Sequence, residues 1–151
     1  MNDISELLDK RAIKVRLKSR RKREVIEELV SLLSGMGKVE APGKVVEELL
    51  KREKISSTGI GGGIAIPHVL SDFVRQTTMA FGRSEEGIQF DAMDKQPVYL
   101  FFLLLGPKGH QSEHLKLLSK LSRLLKHEQF VKALLKAETT DEVLSIIKEQ
   151  E

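Results

Sequence analysis

Apolar residues recur along the chain at two spacings, and the switches between them outline its elements. Ile4, Leu7 and Leu8 fit one short amphipathic turn. Ile13, Val15 and Leu17 then alternate with Lys14, Arg16 and Lys18, the period of a half-buried strand with a basic outer face. From Ser19, a candidate N-cap, the spacing changes to that of a helix: Val25, Ile26, Leu29, Leu32 and Leu33 form one stripe that stops at Gly35 and Gly37. A second helix opens at Pro42 and carries Val45, Val46, Leu49 and Leu50. Ile64–Ile66, Thr77–Gly82 and Pro97–Leu105 read as strands, the last apolar on both faces and therefore central. Leu115, Leu117, Leu118, Leu121, Leu124 and Leu125 predict an amphipathic helix, and Phe130, Val131, Leu134 and Leu135 a further one. The last helix starts at a capping box of Thr139 and Glu142 and buries Val143, Ile146 and Ile147.

Helices on both sides of a set of strands imply an α/β fold. We expect a single domain over residues 1–151, with a mixed parallel and antiparallel β-sheet flanked by helices on both faces. At 151 residues and 40% apolar composition the chain has enough apolar surface for a core without a disulfide or a metal. Having no cysteine, it lacks a disulfide framework, a thiolate metal site and a Cys nucleophile. The longest apolar run, Val98 to Leu105, falls far short of the roughly 20 residues of a membrane helix, and the N-terminus has no signal-peptide pattern. A cytoplasmic protein without direct membrane insertion is expected.

The net charge of +3 is unevenly placed. Nine basic residues and no acidic one fall between Lys10 and Arg23, so the rest of the chain is net negative. This tract has the charge of a nucleic-acid patch but no interleaved aromatics, and a strand's wet face accounts for its alternation; no nucleic acid is expected as partner.

The chemistry concentrates at Ser57-Thr58-Gly59-Ile60-Gly61-Gly62-Gly63-Ile64-Ala65-Ile66-Pro67-His68. Glycines there permit positive φ and close approach, and their N–H groups could form an anion-binding nest. Pro67 keeps Ile66 extended, so the His68 imidazole is held at a strand end, pre-oriented as a nucleophile. Neither GxxxxGK[ST] nor GxGxxG is present, which disfavours a nucleotide site. His110, Glu113 and His114 spell HxxEH, yet a catalytic zinc needs a third ligand, and no metal is assigned. His114 instead falls near the start of the leucine-rich helix, where an anion is favoured. Arg52, beside Glu53 at the end of the second helix, offers one cation suited to phosphate oxygens. His127 is expected at the surface.

Arg52-Glu53 followed by Ser57-Thr58-Gly59-Ile60-Gly61 and Ile64-Ala65-Ile66-Pro67-His68, with Gly109 and His114-Leu115-Lys116-Leu117-Leu118 later, resembles the IIA component of the phosphoenolpyruvate-dependent phosphotransferase system (PTS). The similarity is to its fructose and mannitol type, which includes the nitrogen-regulatory IIA proteins, and runs from about Ile4 to Ile147. It implies a phosphotransferase in which His68 becomes phosphohistidine, with Arg52, Thr58 and His114 as the phosphate-binding surroundings and no cofactor. The implied partners are an HPr-type phosphocarrier protein, or its nitrogen-branch counterpart, as donor and a IIB component as acceptor. The alternative within the same family is a nitrogen-branch regulator whose His68 phosphorylation state controls binding to target proteins, without sugar transport. Gly62, where many relatives have Asn, and Val69-Leu70 after the histidine depart from the pattern. No stretch matches a fused IIB, IIC or HPr domain, so separate partners are expected.

Overall fold

The computed structural model describes residues 3–151, so the first two residues of the expected domain lie outside the described residues. Thirteen short elements follow one another: α1 (Ile4–Leu7), a 3₁₀ turn (Lys10–Ala12), β1 (Ile13–Lys14), α2 (Lys22–Ser34), α3 (Pro42–Ile55), β2 (Gly59–Gly61), β3 (Ile64–Ala65), β4 (His68–Ser71), β5 (Thr78–Ile88), β6 (Val98–Pro107), α4 (Gln111–Leu124), α5 (Glu128–Lys136) and α6 (Thr140–Gln150).

β6 organises the molecule because every one of its core residues is apolar and alternates between two sides. Phe101, Leu103 and Leu105 point toward α2 and α3, where they meet Val25, Leu29, Val45 and Leu49. Leu100, Phe102 and Leu104 face the other layer, meeting Leu117, Leu121, Phe130, Val143 and Ile147 from α4–α6. Each such fully buried side chain contributes roughly 1.5–3 kcal/mol, so the two layers hold the strand in place from both sides. Around it the sheet runs β1-β5-β6-β3-β2, with β4 also on β6. β5 is antiparallel to β6, while β3 and β4 are parallel to it. This is the mixed sheet between helical layers that the patterning predicts.

Several boundaries differ from that reading. The alternation from Ile13 to Leu17 yields a strand only at Ile13–Lys14. Beyond it the chain is held to Arg83, which takes the Leu17 N–H on its carbonyl (2.9 Å) and donates its guanidinium to the Val15 carbonyl (3.1 Å). Ser19 does not cap α2, which starts at Lys22; its hydroxyl donates to the Glu28 carboxylate instead. Leu115 leaves the α4 stripe and is 64% exposed. β5 runs on to Ile88, past the expected end at Gly82, pairing Arg83 with Leu100 and Ile88 with Val98 of β6, and the buried Arg83 also donates to the Leu134 and Leu135 carbonyls at the end of α5. His68, expected at a strand end, instead opens a strand of its own, His68–Ser71, paired with Leu104–Pro107. The Thr139 cap forms as expected, accepting the Glu142 N–H at 3.1 Å.

Candidate functional site

His68 opens β4 directly after Pro67, opposite Leu104 of the central strand. Its ring is half-buried, and Nδ1 lies 2.7 Å from the Ile66 carbonyl oxygen. A carbonyl only accepts, so that contact places the proton on Nδ1 and leaves the Nε2 lone pair bare. Burial holds the His68 pKa below its ordinary value of 6.5; the Ile66 carbonyl and the Glu53 charge oppose that effect, and the Arg52 charge adds to it. The imidazole is therefore neutral at pH 7, the state a nitrogen nucleophile needs.

His114, on the first turns of α4, sits with its ring centroid 5.5 Å from that of His68, the planes tilted by 50°. Gly106 lies against this pair: a Cβ there would lie 3.2 Å from Leu70 and 3.4 Å, an ordinary contact distance, from His114 Nδ1. His114 is 7% exposed, and its Nδ1 is enclosed without a hydrogen-bond partner. Burial, followed by the neighbouring His68, pushes its pKa down to about 4. His114 is consequently a neutral group at pH 7 rather than a second cation. With no acceptor at the enclosed Nδ1, its proton belongs on Nε2, where it can be donated. Its backbone N–H is taken by the His110 carbonyl (3.0 Å), so the helix start offers it no free amide.

Arg52 lies in the last turn of α3 and spends one guanidinium N–H on the Ser56 carbonyl (2.7 Å). Its other donors have no partner among the described residues, and its charge reaches His68. Thr58 is buried and faces away from a phosphate role: both its N–H (3.1 and 3.2 Å) and its hydroxyl go to the Glu53 carboxylate. The glycine segment differs in the same way from an open anion nest. Gly59 N–H is donated to Ser57 Oγ (3.0 Å) and Gly62 N–H to Asp94 (3.0 Å). Its glycines serve geometry: Gly61, Gly62 and Gly63 all have positive φ (95°, 65° and 81°), folding β2 back on β3, and a Cβ at Gly59 would strike Ala92 at 2.8 Å.

The structure thus brings His68, His114 and Arg52 together and places Thr58 one step behind them. His110 and Glu113 are 3.6 Å apart, and Glu113 accepts the Thr77 hydroxyl. His127 is an exposed residue at the start of α5.

The patterning misses Glu53, which is 7% exposed beneath Thr58, and Lys22, whose Nζ meets Glu53 Oε1 at 3.0 Å. A signal existed for both. Position 53 continues the α3 stripe four residues after Leu49, and position 22 precedes Val25 and Ile26 by three and four on the α2 stripe. A charged residue in an apolar stripe points to a buried partner.

Comparison with known proteins agrees with this picture. The family model described as "Phosphoenolpyruvate-dependent sugar phosphotransferase system, EIIA 2" matches residues 6–150. The fructose-specific EIIABC component of Bacillus subtilis is 42% identical over 98% of this chain, which spans only 23% of that larger protein. The fructose-specific EIIA component of Haloferax volcanii is 40% identical, with 99% of this chain and 97% of that protein covered. Among solved structures, the nitrogen regulatory protein IIA-Ntr of Neisseria meningitidis superposes with a TM-score of 0.89 at 37% identity, covering 95% of this chain and 98% of that one. Enzyme IIAMTL of Escherichia coli, solved in complex with phosphorylated enzyme IIBMTL, gives a TM-score of 0.81 at 26% identity, over 95% and 99% of the two chains.

Proposed function

Because the chain belongs to the EIIA 2 family of the phosphoenolpyruvate-dependent sugar phosphotransferase system, we propose that His68 carries its phosphoryl group, accepting it from an HPr-type carrier and passing it to a IIB component. The observation that carries this reading is the hydrogen bond between His68 Nδ1 and the Ile66 carbonyl, which leaves Nε2 as the one reactive nitrogen of a neutral ring. That lone pair attacks phosphorus in line with the donor's phosphohistidine. An N–P bond forms at Nε2 while the donor's N–P bond breaks, and the donor imidazole leaves with the electron pair. Nδ1 keeps its proton and its hydrogen bond throughout, so the positive charge that appears on the phosphorylated ring is shared with the Ile66 carbonyl. Arg52 supplies fixed positive charge to the transferring oxygens and His114 a neutral N–H donor. Transfer onward to IIB runs the same displacement in reverse. Thr58 contributes indirectly, by holding the loop.

The surroundings suit a protein partner. Of the five large apolar side chains exposed among the described residues, Ile55 follows Arg52 by three positions, Ile60 lies in the glycine segment and Leu115 adjoins His114. A fourth, Met93, is tied to that segment through its N–H and the Gly59 carbonyl (3.1 Å). An apolar rim around a polar centre is the composition of a docking surface.

The test is incubation with phosphoenolpyruvate, enzyme I and an HPr-type carrier. We expect one acid-labile phosphoryl group per chain, absent in His68→Ala. Equal labelling of that variant would overturn the assignment. The high structural similarity to IIA-Ntr favours a second reading, a regulator whose partners sense the dianion at His68 by charge and desolvation. Label that chases onto a IIB protein supports the transport reading; label that stays on His68 and abolishes binding to a target protein supports the regulatory one.

A further inference from the structure

One residue near the end of the basic tract is far more enclosed than its arginine neighbours. Lys22 is the first residue of α2, and its side chain is 19% exposed, whereas Arg16 and Arg20 are 64% and 76% exposed. Its Nζ lies 3.0 Å from Glu53 Oε1 and 3.0 Å from the Phe90 carbonyl oxygen, and it stands 4.5 Å over the Phe90 ring. Three independent contacts fix the ammonium in one place.

From there a continuous set of bonds reaches the reactive ring. Glu53 takes the Lys22 proton donor on one side and the Thr58 N–H and hydroxyl on the other. The Thr58 carbonyl accepts the Ile66 N–H at 3.0 Å, and the Ile66 carbonyl accepts His68 Nδ1–H at 2.7 Å. Ser57 adds a second tie, donating its hydroxyl to the same Phe90 carbonyl (2.9 Å) that Lys22 binds. We propose that Lys22 is a positioning residue for phosphoryl transfer at His68, acting through Glu53, Thr58 and Ile66 to hold the glycine segment and the tautomer of the imidazole.

The physical reason is the condition of Glu53. Its side chain is 3% exposed and is held between the Lys22 ammonium and the Thr58 N–H and hydroxyl. Without Lys22 the enclosed carboxylate loses the cation that fixes one of its oxygens and is free to turn from Thr58 toward water, which releases at least one of the Thr58 donors. An uncompensated carboxylate near His68 would also repel the arriving phosphoryl group, whereas the Lys22–Glu53 pair is neutral toward it. Lys22 lies on α2, which contributes none of the exposed apolar side chains of the rim, so its removal should leave carrier docking alone.

The proposal rests on His68 being the acceptor, and the experiment separates the two. Wild type, Lys22→Met, Lys22→Arg and His68→Ala are labelled from a phosphorylated HPr-type carrier over a range of carrier concentrations, at a temperature where each is folded. Lys22→Met should lose about tenfold in the maximal rate, the scale of a small misplacement of a reacting group, with the half-saturating carrier concentration unchanged; Lys22→Arg should recover to within about threefold. The ring ¹⁵N spectrum should show one neutral His68 tautomer in wild type and a mixture of two in Lys22→Met. Should Lys22→Met fail to fold, Lys22→Gln, which keeps one donor for the Phe90 carbonyl, is judged by the same criteria. A wild-type maximal rate, a change confined to the half-saturating concentration, or an unmixed tautomer in the variant overturns the role of Lys22. Undiminished labelling of His68→Ala overturns the underlying reading instead.

Discussion

Two stretches stand out for charge and for glycine, and the structure treats them oppositely. In the tract from Lys10 to Arg23, seven of nine basic side chains have a carboxylate partner. Most of those pairs are exposed, so solvent and salt screen them. The segment from Ser56 to His68 has no acidic residue and no cation of its own, yet its polar groups are enclosed: Thr58 on Glu53, Gly59 on Ser57, His68 on Ile66. Charge density marks the first region and burial the second. What makes a site reactive is the second quantity, because a polar group shut away from water keeps one geometry and one protonation state. Lys22 belongs to the first stretch by sequence and to the second by environment.

The comparison breaks most visibly at Glu53. Glu53→Ala leaves Lys22 buried without its anion and Thr58 with two idle donors, and is expected to cost about 3–5 kcal/mol of stability, the cost of breaking a buried pair from one side. Glu85→Ala, which removes the partner of the exposed Arg16, should cost less than about 1 kcal/mol. Urea unfolding of the two variants measures the contrast; equal losses would show that enclosure is not what separates the regions.

The two regions were also unequally legible in the chain. His68 was readable because its signals are local: the glycines, Pro67 and the histidine adjoin one another, and their effect on the backbone needs no distant partner. The central strand and the helices were readable from apolar period alone. The network behind His68 was not, since it joins residue 22 to 53, 58 and 66, which lie on elements far apart in the chain and are brought together only by the fold. The sequence offers Arg52 as a cation at a helix end, and only the fold turns its neighbour Glu53 under Thr58. β4 escaped for the same reason: its four residues are a strand by virtue of parallel pairing to Leu104–Pro107 some 36 positions away. Likewise the continuation of β5 past Gly82 rests on the pairing of Arg83 with Leu100 and of Ile88 with Val98 on β6, which no local pattern announces.

Acid sharpens the contrast next. His114 in the folded protein has a pKa of about 4, against 6.5 in the unfolded chain, and that of His68 is also lowered. As pH falls below 6.5 the unfolded chain binds protons that the folded one refuses, so stability drops with falling pH until the folded pKa is passed. For His114 the gap corresponds to about 3 kcal/mol, lost between pH 6.5 and about 4. Denaturant titrations at stepped pH should show this slope, flattened in His114→Gln. The decline of phosphoryl acceptance with falling pH should be centred below 6.5, because burial lowers the His68 pKa; a decline centred on 6.5 or above would contradict the enclosed environment of the ring.

The smallest effect is expected where the sequence carries the most charge. Arg16 pairs with Glu85 and Arg20 with Glu86, each at 2.8 Å and each largely in water. Replacing both arginines by alanine removes two cations and leaves two exposed carboxylates, which water solvates as well as the guanidinium groups did. The double variant should therefore melt within a few degrees of wild type, and should accept phosphate from the carrier at the wild-type rate. Both positions lie on the same tract as Lys22, at equal or similar formal charge, so the pairing of this variant with Lys22→Met isolates burial from charge. If the double arginine variant slows transfer as much as Lys22→Met does, the tract acts through its overall field on the negatively charged donor, and the enclosed contact to Glu53 is not what distinguishes Lys22.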